Sequence, residues 1–392
     1  MRVLVLGASG FIGGHAAAAL RAAGHQVIPG RTRFERALRP QDWAASLNNV
    51  DAVVNAVGII RERGAQTFQA LHDAAPRALF VACQAAGVRR VVQISALGAD
   101  EHARSRFHRS KKRADDYLAS LDLDWAIVQP SLVFGEGGAS ARLFALLASL
   151  PLIPLPGDGR QRVQPIHIDD LTEVIVKLVG VPVKTRLEAV GPREVSVREW
   201  LRVLRVQMGL GRARFLPVPL QLVPVEAETL QMLQRGNTAS PAIITQLLRR
   251  APRDPKDFVN AIQARSLATR ARLDWLLPLL RAAIAAVWIF SGIVSLGLSP
   301  VQESMTMLAR VGLASPLALY GAAALDIALG FAIYLVRRRR WLWRMQIALI
   351  LGYSAIIAVW LPELWLHPFG PLLKNLPMLA AILVLHELEE PR

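Results

Sequence analysis

The chain has 392 residues, 53% of them hydrophobic, and a mean hydropathy of +0.33. That average is too apolar for an ordinary soluble protein of this length, and the apolar excess lies after about residue 275. Cys83 is the single cysteine, which excludes an intramolecular disulfide and a thiolate metal cluster. The eight histidines show no ligand spacing, so the sequence predicts no metal site.

The net charge of +16 has two interpretations, nucleic-acid binding and membrane topology. The densest basic cluster, residues 337–340 with Arg344, lies between two apolar stretches, where the positive-inside rule places charge. No aromatic-interleaved basic stripe accompanies it. The sequence therefore favours a lipid bilayer as partner and predicts no nucleic-acid partner.

The chain begins with a predicted strand, a glycine turn and a predicted helix. Residues 2–6 are aliphatic and indicate a buried parallel strand, and Ala-rich residues 15–23 indicate a helix. Gly7 permits a tight turn, Gly10 lets the backbone approach a pyrophosphate, and Gly13 lets the helix pack closely. The pattern predicts a dinucleotide whose phosphates lie on N–H groups at the helix start. Its predicted site is Gly7, Ser9, Gly10, Phe11, Ile12 and Gly13.

The second strand, residues 25–28, leads into residues 29–33, which contain Arg31 and Arg33 but no carboxylate. An acidic residue here would bind the ribose hydroxyls of NAD, whereas an arginine suits the 2′-phosphate of NADP. The sequence therefore favours NADP(H) over NAD(H), with a merely solvated arginine as the alternative.

Further strands are predicted at residues 52–57, 91–95 and 125–128, with a helix at 70–86. Alternating strands and helices indicate a doubly wound α/β fold that binds its ligand at the carboxyl ends of the strands. Beyond it, residues 214–219 are predicted to be extended, and residues 226–235 and 243–250 to be short helices.

Five motifs occur in the order found in one enzyme family. They are Gly7-x-x-Gly10-x-x-Gly13, Asn55-Ala56-Val57-Gly58, Gln93-Ile94-Ser95, Gln129-Pro130-Ser131-Leu132-Val133-Phe134-Gly135 and Pro165-Ile166-His167-Ile168-Asp169-Asp170. With residues 190–196, they resemble extended and atypical short-chain dehydrogenases/reductases, in the branch of the NADPH-binding accessory subunit of complex I. The resemblance covers about residues 1–265 and implies a Rossmann domain.

By that resemblance, Asn55, Ala56, Val57 and Gly58 would lie beside the cofactor, and Pro130, Ser131 and Val133 near its nicotinamide end. His167 and Asp169 would organise a loop behind the sheet. The alternative for the latter pair is a structural turn before a helix N-terminus.

The family's enzymes use Ser, Tyr and Lys, with Tyr four residues before Lys. Ser95 and Lys111 match the outer two, but Phe107 occupies the Tyr position and has no proton to transfer. Tyr117 is nearly three helical turns from Phe107 and cannot replace it. Lys111 would then only bind the ribose, or His108 would supply the proton, or hydride would pass to a flavin or quinone that needs no Tyr.

Four apolar stretches follow, at residues 276–298, 316–336, 345–366 and 372–388, each near the roughly 20 residues that span a bilayer. They predict a four-helix transmembrane bundle, with buried core helices of a soluble protein as the alternative. The fourth is the shortest and contains Pro377.

Charge predicts the orientation of these spans. Arginines precede or open the first span (265, 270, 272 and 281) and lie between the second and third (337–340 and 344). Residues 302–313 and 361–373 are poorer in Lys and Arg and should face outward. With no secretory signal recognised, we expect an inner-membrane protein whose Rossmann domain and both termini are cytosolic.

The segments His367-Pro368-Phe369-Gly370-Pro371-Leu372-Leu373-Lys374-Asn375-Leu376-Pro377 and Trp288-Ile289-Phe290-Ser291-Gly292 resemble the DoxX-like family. That resemblance implies a four-helix membrane domain with relatives tied to quinone-linked redox or thiol chemistry. Asp326 inside the second span is either a quinone or proton site or an ion-pair partner, for example of Arg281. Arg281, Glu363, His367 and Lys374 are expected toward the membrane interfaces.

The predicted organisation is a Rossmann domain at 1–210, the rest of the substrate lobe and a linker at 211–274, and a membrane domain at 275–392. Two functions fit it. One is an NADP(H)-dependent oxidoreductase coupled to a quinone or another lipid-soluble acceptor. The other is a non-catalytic nucleotide-binding subunit of a membrane complex. Phe107 favours the second, and the fusion to a redox-associated membrane domain favours the first.

Overall fold

The structure is a computed structural model that describes residues 1–222, 235–298, 300–337, 339–365 and 372–389. It divides into two compact units, Met1–Ala271 and Arg272–Arg392. Nearly all of the short helix predicted at residues 226–235, and His367, lie outside the described residues.

The first unit is built on a parallel sheet. The described strands are β1 (Arg2–Leu6), β2 (Gln26–Pro29), β3 (Ala52–Asn55), β4 (Arg90–Ile94), β5 (Asp124–Pro130), β6 (Val133–Phe134), β7 (Ile153–Pro156), β8 (Arg162–Val163), β9 (Ile166–His167), β10 (Thr185–Ala189), β11 (Val195–Ser196) and β12 (Phe215–Val218). Six of them form one sheet in the order β10-β5-β4-β3-β1-β2, with every neighbouring pair parallel. The predicted doubly wound Rossmann fold is therefore confirmed.

Helices cover both faces of this sheet. The helices of this unit are α1 (Phe11–Ala22), α2 (Ala75–Ala85), α3 (Arg106–Ala119), α4 (Ala139–Ser149), α5 (Ile168–Gly180), α6 (Val197–Gln207) and α7 (Ala242–Leu248). α1, α5 and α7 pack on one face of the sheet and α2 and α3 on the other, whereas α4 and α6 share a separate core with β7, β8 and β11. Val3 and Val5 of β1 point into the core that contains residues of α1 and α5, while Leu4 and Leu6 point into the core with residues of α2 and α3. The continuous aliphatic run of β1 is thus explained by burial on both faces.

Two helix predictions needed adjustment. The helix after the glycine turn begins at Phe11 rather than at residue 15, because Gly10 already adopts the extended N-cap conformation. The helix predicted at 70–86 opens with a wider π-helical turn, Gln69–Ala74, before α2. Pro76 has no N–H to donate to the carbonyl of His72, which accounts for the widened turn.

Short strand pairs form the lobe beside the carboxyl edge of the sheet. β6 pairs with β9, β8 with β11, and β7 with β12. The prediction of extended backbone at 214–219 is confirmed by β12, and the helix predicted at 243–250 corresponds to α7.

The helices of the second unit are α8 (Ala261–Ile293), which contains the boundary between the units, α9 (Val301–Arg310), α10 (Pro316–Leu335), α11 (Arg340–Trp360) and α12 (Asn375–Leu388). Three helical segments, Ala261–Leu298, α10 and α11, are long and apolar enough to cross a membrane. The apolar helix α12 has 14 residues, which extend about 21 Å, so it is shorter than these three, and the fourth full span stays a prediction. α9, within the predicted outward loop, was not anticipated.

Charged side chains join the ends of these helices. Glu389 accepts from Arg281 Nε at 2.5 Å and from Trp343 Nε1 at 3.0 Å, and Arg339 lies 3.8 Å from it. The start of the first span, the start of α11 and the end of α12 therefore meet at one end of the bundle. The suggested pairing of Arg281 with Asp326 is wrong, because Asp326 instead accepts from Ser291 deeper in the bundle.

A second ion pair joins Arg310, at the end of α9, to Glu363 at 2.5 Å. Both residues belong to the segments that the sequence predicts to face outward. Glu363 and Arg281 thus have different ion-pair partners, and Lys374 immediately precedes α12.

Candidate functional site

The glycine turn forms a tight connection between β1 and α1. Gly7 has φ +76°, and Gly10 N donates to Gly7 O at 2.8 Å. A Cβ atom on Gly13 would lie 2.1 Å from Gly7 O, so only glycine permits this approach. The N–H groups at the start of α1, on Phe11, Ile12 and Gly13, have no intrahelical acceptor and suit a pyrophosphate.

This turn lies where the strand order reverses. β1 is flanked by β2 and β3, and the chain continues outward from both, which is the position where doubly wound sheets bind ligands. The segment from Asn55 to Gly58 leaves β3 at the same edge. A Cβ on Gly7 would lie 3.0 Å from the carbonyl of Ala56, so the two segments touch through backbone atoms.

Asn55 holds that segment in place. Its amide Nδ2 donates to Gln93 Oε1 at 2.8 Å, and its Oδ1 accepts from Val57 N at 3.2 Å. Asn55 and Gln93 are both fully buried at the ends of β3 and β4. Asn55 therefore shapes the backbone at Val57 and Gly58.

Lys111 lies directly beneath Gly58. Its Nζ donates to Ile94 O at 3.0 Å and to Val57 O at 3.2 Å, and a Cβ on Gly58 would lie 3.2 Å from it. Burial lowers the pKa of Lys111 to about 8, although the Asp115 carboxylate opposes the shift. A ribose hydroxyl above Gly58 would give this ammonium a further acceptor.

His72, from the π-helical turn, lies beside Lys111 and Gly58. Its Nε2 accepts from Ile59 N at 3.0 Å, and Nδ1 lies 3.1 Å from Ser110 Oγ, which itself donates to Phe107 O. These bonds indicate a neutral imidazole that carries its proton on Nδ1. Burial, with the nearby Lys111 charge, lowers the pKa of His72 to about 2, so it is not a proton donor near neutral pH.

Phe107 occupies the expected Tyr position in an aromatic cluster. Its ring packs edge-on against Phe68 at 5.9 Å, His72 at 5.3 Å and His108 at 5.2 Å. His108 Nδ1 lies 3.0 Å from Ser105 Oγ, the N-cap of α3. The cluster fills with apolar contacts the place where a phenol would act.

No tyrosine of the first unit can take the proton-transfer role in place of Phe107. Tyr117 is its only tyrosine, and the Arg77 guanidinium covers the ring at 4.3 Å. The remaining three tyrosines follow residue 316, within the second unit.

Ser95 follows β4 and is buried, and its hydroxyl bonds a side chain of α3. It forms a very short hydrogen bond with the carboxyl of Asp115, four residues after Lys111 on α3. Asp115 is fully buried. Burial raises its pKa to about 7, against the opposing effects of Ser95 and the Lys111 charge. Sequence reasoning missed Asp115, whose signal was its one-turn spacing from Lys111.

Pro130, Ser131 and Val133 lie at the end of β5 and in β6, beside Ser95. Ser131 Oγ donates to Gln164 O at 2.5 Å, and Pro130 O accepts from Leu97 N at 3.0 Å. Val133 pairs with Ile166 of β9. Their polar groups thus hold the backbone of the substrate-side lobe.

The His167–Asp170 motif has the structural role that was the alternative. His167 is the N-cap of α5, and its Nδ1 accepts from Asp169 N at 3.2 Å. Asp170 is fully buried and accepts from Arg250 and from Arg253 N, each at 2.7 Å. The motif begins a helix and fixes the chain that leads toward α8.

Arg31 and Arg33 follow β2 and are exposed. Val5 pairs with Pro29, so Arg31 lies level with Gly7 at the nucleotide edge. Gly30, not anticipated, allows this approach, because a Cβ there would lie 2.3 Å from Leu6 Cδ2.

A second glycine loop was also missed. Gly135, Gly137 and Gly138 precede α4, and a Cβ on Gly138 would lie 3.0 Å from the ring of Phe11. The pattern Gly-Glu-Gly-Gly after β6 was the available signal. The loop packs against the ring of Phe11, the first residue of α1.

An open cleft of about 340 Å³ lies beside the lobe, lined by Gln164, Arg193, Glu194 and Thr238 among others. Arg193 and Glu194 belong to the segment 190–196, one of the segments that carry the family resemblance. Among the described residues, no three His, Cys, Asp or Glu side chains are grouped to hold a metal ion.

Comparisons with known proteins agree with this geometry. Residues 7–144 match the family described as NAD(P)H-binding, and residues 285–383 match the DoxX-like family. The ceramide reductase of Caulobacter vibrioides is 27% identical over 224 residues, which are 52% of this chain and 68% of that protein. The mouse mitochondrial NADH dehydrogenase [ubiquinone] 1 alpha subcomplex subunit 9 is 27% identical over 241 residues, 56% of this chain. The match spans 63% of that subunit, less than two thirds of its length.

The human epimerase family protein SDR39U1, solved with NADPH, has a similar fold, with a TM-score of 0.55 and 20% identity. That similarity covers 69% of this chain and 99% of the human chain. Solved neighbours contain NADPH or NAD.

Proposed function

We propose that this protein binds NADP(H) and reduces a quinone or another lipid-soluble acceptor. The chain carries an NAD(P)H-binding, epimerase- and SDR-like domain together with a C-terminal DoxX-like domain. The observation that carries the proposal is the Gly7–Gly13 turn, which leaves no room for a Cβ at Gly13, together with Lys111 beneath Gly58. The same chain supplies apolar helices suited to a lipid bilayer, in which a lipid-soluble acceptor would dissolve.

Different residues would bind different parts of the nucleotide. The turn from Gly7 to Gly13 presents N–H groups to a pyrophosphate, and Arg31 and Arg33 face a 2′-phosphate. Lys111 donates toward the ribose, where a new acceptor would stabilise the ammonium that burial disfavours. The bound nucleotide supplies a hydride, which a quinone accepts together with a proton to become a hydroquinone.

The chemical class of the acceptor is inferred from Phe107, which replaces the usual Tyr. Phe107 cannot polarise a ketone by donating a proton, and His72 stays neutral. A quinone is more readily reduced, because aromatic conjugation stabilises the hydroquinone anion formed after hydride transfer. Two similar proteins bear names that refer to a lipid, ceramide, and to ubiquinone, which supports a lipid-soluble acceptor.

The orientation is part of the proposal. Arg281 and Arg339 lie with Glu389 at one end of the helices, and Arg310 pairs with Glu363 in the segments poorer in basic residues. By the positive-inside rule the first end is cytosolic, in an inner membrane, together with the nucleotide-binding domain and both termini.

A second candidate function is a nucleotide-stabilised subunit of a membrane complex. The aromatic packing of Phe107 against Phe68 and His72 favours it, because these contacts replace a catalytic group with a structural one. The complex I subunit among the similar proteins points the same way. Bound nucleotide would then stabilise the domain without being consumed.

The deciding experiment uses the full chain in lipid vesicles that contain a short-chain quinone. NADPH oxidation should depend on the quinone and should fall on the order of 100-fold in Lys111→Ala, which also loses nucleotide affinity. Lys112→Ala, a neighbouring surface lysine, is the matched control and should behave as the parent protein does. Tight NADPH retention without turnover, with quinones and with ketone lipids, would reject the oxidoreductase and support the subunit.

A further inference from the structure

The carboxyl of Asp115 lies in the interior beside the nucleotide edge, bonded through Oδ2 to Ser95 Oγ. Its other oxygen, Oδ1, is buried and has no hydrogen-bond partner among the described residues. A carboxylate so placed is costly, since an anion removed from water needs several donors to replace its hydration. The protonated form needs only one acceptor, and Ser95 Oγ provides it.

The charged groups that face Asp115 do not neutralise it by ion pairing. On its own helix, Lys111 Nζ donates to the carbonyls of Val57 and Ile94, which are separate from the carboxyl. From β10, Arg186 instead donates to Asp116 at 2.8 Å, and Asp116 adds a repelling charge. Within the described part of the chain, neither cation comes within ion-pair distance of Asp115.

Protonation of Asp115 decides which way the hydrogen bond to Ser95 runs. When Asp115 is a carboxylate, Ser95 must donate its hydroxyl proton to it. When Asp115 is protonated, its own O–H donates to Ser95 Oγ, and the hydroxyl proton of Ser95 is free to point at a bound acceptor. Ser95 lies at the end of β4, on the edge that carries Gly58 and Lys111.

We propose that Ser95 is the proton donor of this site and that Asp115 is a positioning residue that holds the replacement proton. The inference rests on the proposed function. As the acceptor takes up the hydride that NADPH loses, the Ser95 O–H bond breaks and an O–H bond forms on the acceptor oxygen. The Asp115 O–H bond then breaks to restore the Ser95 hydroxyl, and the Asp115 carboxylate regains its proton from water before the next turnover.

This arrangement explains how the site functions with Phe107. The family's enzymes have a Tyr phenol four residues before Lys111. Here its role passes to the hydroxyl of Ser95, at the end of β4, and to the carboxyl of Asp115, four residues after Lys111. The carboxylate left after proton transfer is stabilised by the Lys111 charge, which also favours transfer in the forward direction. A pKa near 7 for Asp115 matches such a role near neutral pH.

The first test needs no turnover. Infrared difference spectra of the full chain, recorded while the pH is raised through the Asp115 pKa of about 7, should show loss of a protonated-carboxyl C=O band. The band should be absent from Asp115→Asn, shifted in Ser95→Ala, and unchanged in Asp122→Asn, which removes an exposed carboxyl just after the same helix. A parent spectrum without this band, or a band that survives in Asp115→Asn, would overturn the proposal.

The second test is the pH profile of NADPH oxidation in quinone vesicles. The parent rate should fall above about pH 7, because the protonated carboxyl is then lost. Asp115→Asn should lower kcat on the order of 100-fold, abolish this fall and leave NADPH affinity within about twofold, and Asp115→Glu should restore part of the rate. A parent-like profile in Asp115→Asn would refute the relay. If no acceptor supports turnover, the proposed function fails, while the infrared band still decides whether the proton is held.

Discussion

The residues around Lys111 owe their chemistry to burial. Lys111, Asp115 and His72 all lie within the core, and burial is the largest cause of the pKa shift of each. Each shift favours the neutral form, because burial disfavours a charge on any of the three groups; near pH 7 Lys111 still carries its proton while His72 is neutral. A nucleotide that gives Lys111 new acceptors would change this balance, which links cofactor binding to proton chemistry.

Cofactor preference is also decided by single residues. Replacing Arg31 and Arg33 together by Ala should weaken NADPH binding about tenfold, or about 1.4 kcal/mol, and change NADH binding less than twofold. The reason is that only NADPH carries the 2′-phosphate that these exposed guanidinium groups would bind at the end of β2. Fluorescence titration of both nucleotides would measure this.

The matched control is Arg36→Ala, an exposed arginine of the next turn, which should affect neither nucleotide. Equal losses for NADPH and NADH would contradict 2′-phosphate recognition and indicate general attraction of a polyanion.

At the scale of elements, the closest packing is between α1 and the glycine turn. Gly13→Ala should lower the free energy of unfolding of the nucleotide domain by about 3 kcal/mol, because the new Cβ would meet Gly7 O at 2.1 Å and a backbone atom cannot rotate away. Thermal unfolding of the full chain in detergent would show the shift, and NADPH binding should be lost with it.

Gly180→Ala serves as the control, because a Cβ at Gly180, the last residue of α5, meets nothing within 4 Å. It should match or exceed the parent stability, as Ala favours helix more than Gly does. Equal behaviour of the two variants would mean that α1 tolerates a shift away from the turn.

The membrane helices pack by comparable close approaches. A Cβ on Gly292 of α8 would lie 2.5 Å from Ala323 O of α10, and one on Gly330 would lie 2.9 Å from Ala285 O. Small residues bring these two helices together, as is usual in membranes, where no hydrophobic effect drives helix association. Glu389 then ties the end of the short helix α12 to Arg281, inside α8, and to Trp343, near the start of α11.

At the scale of the whole molecule, the proposed topology can be tested with cysteine labelling. Gln302→Cys should react with a membrane-impermeant maleimide from outside the cell, whereas Arg337→Cys should react only after permeabilisation. Both side chains are exposed, so accessibility reports the side of the membrane.

The parent chain offers a clean background for this experiment. Cys83 is fully buried, and burial raises the pKa of its thiol to about 12, which leaves almost no reactive thiolate. Labelling in the reverse order would place the nucleotide domain outside and refute the proposed orientation.

Local patterns in the sequence determined much of this protein. The buried strands, the glycine turn, the apolar helices and the replacement of Tyr by Phe107 could all be predicted, because each depends on residues near one another in the chain. The predictions for Ser95 and Lys111 came from motif spacing and stay predictions of function.

Only the tertiary structure decided which distant groups meet. It brought Asp115 to Ser95, His72 to Lys111, and Glu389 rather than Asp326 to Arg281. It also widened the turn before Pro76 and shortened the last helix relative to its apolar stretch. Such contacts depend on how elements far apart in the chain pack, which hydrophobic periodicity and propensity do not specify.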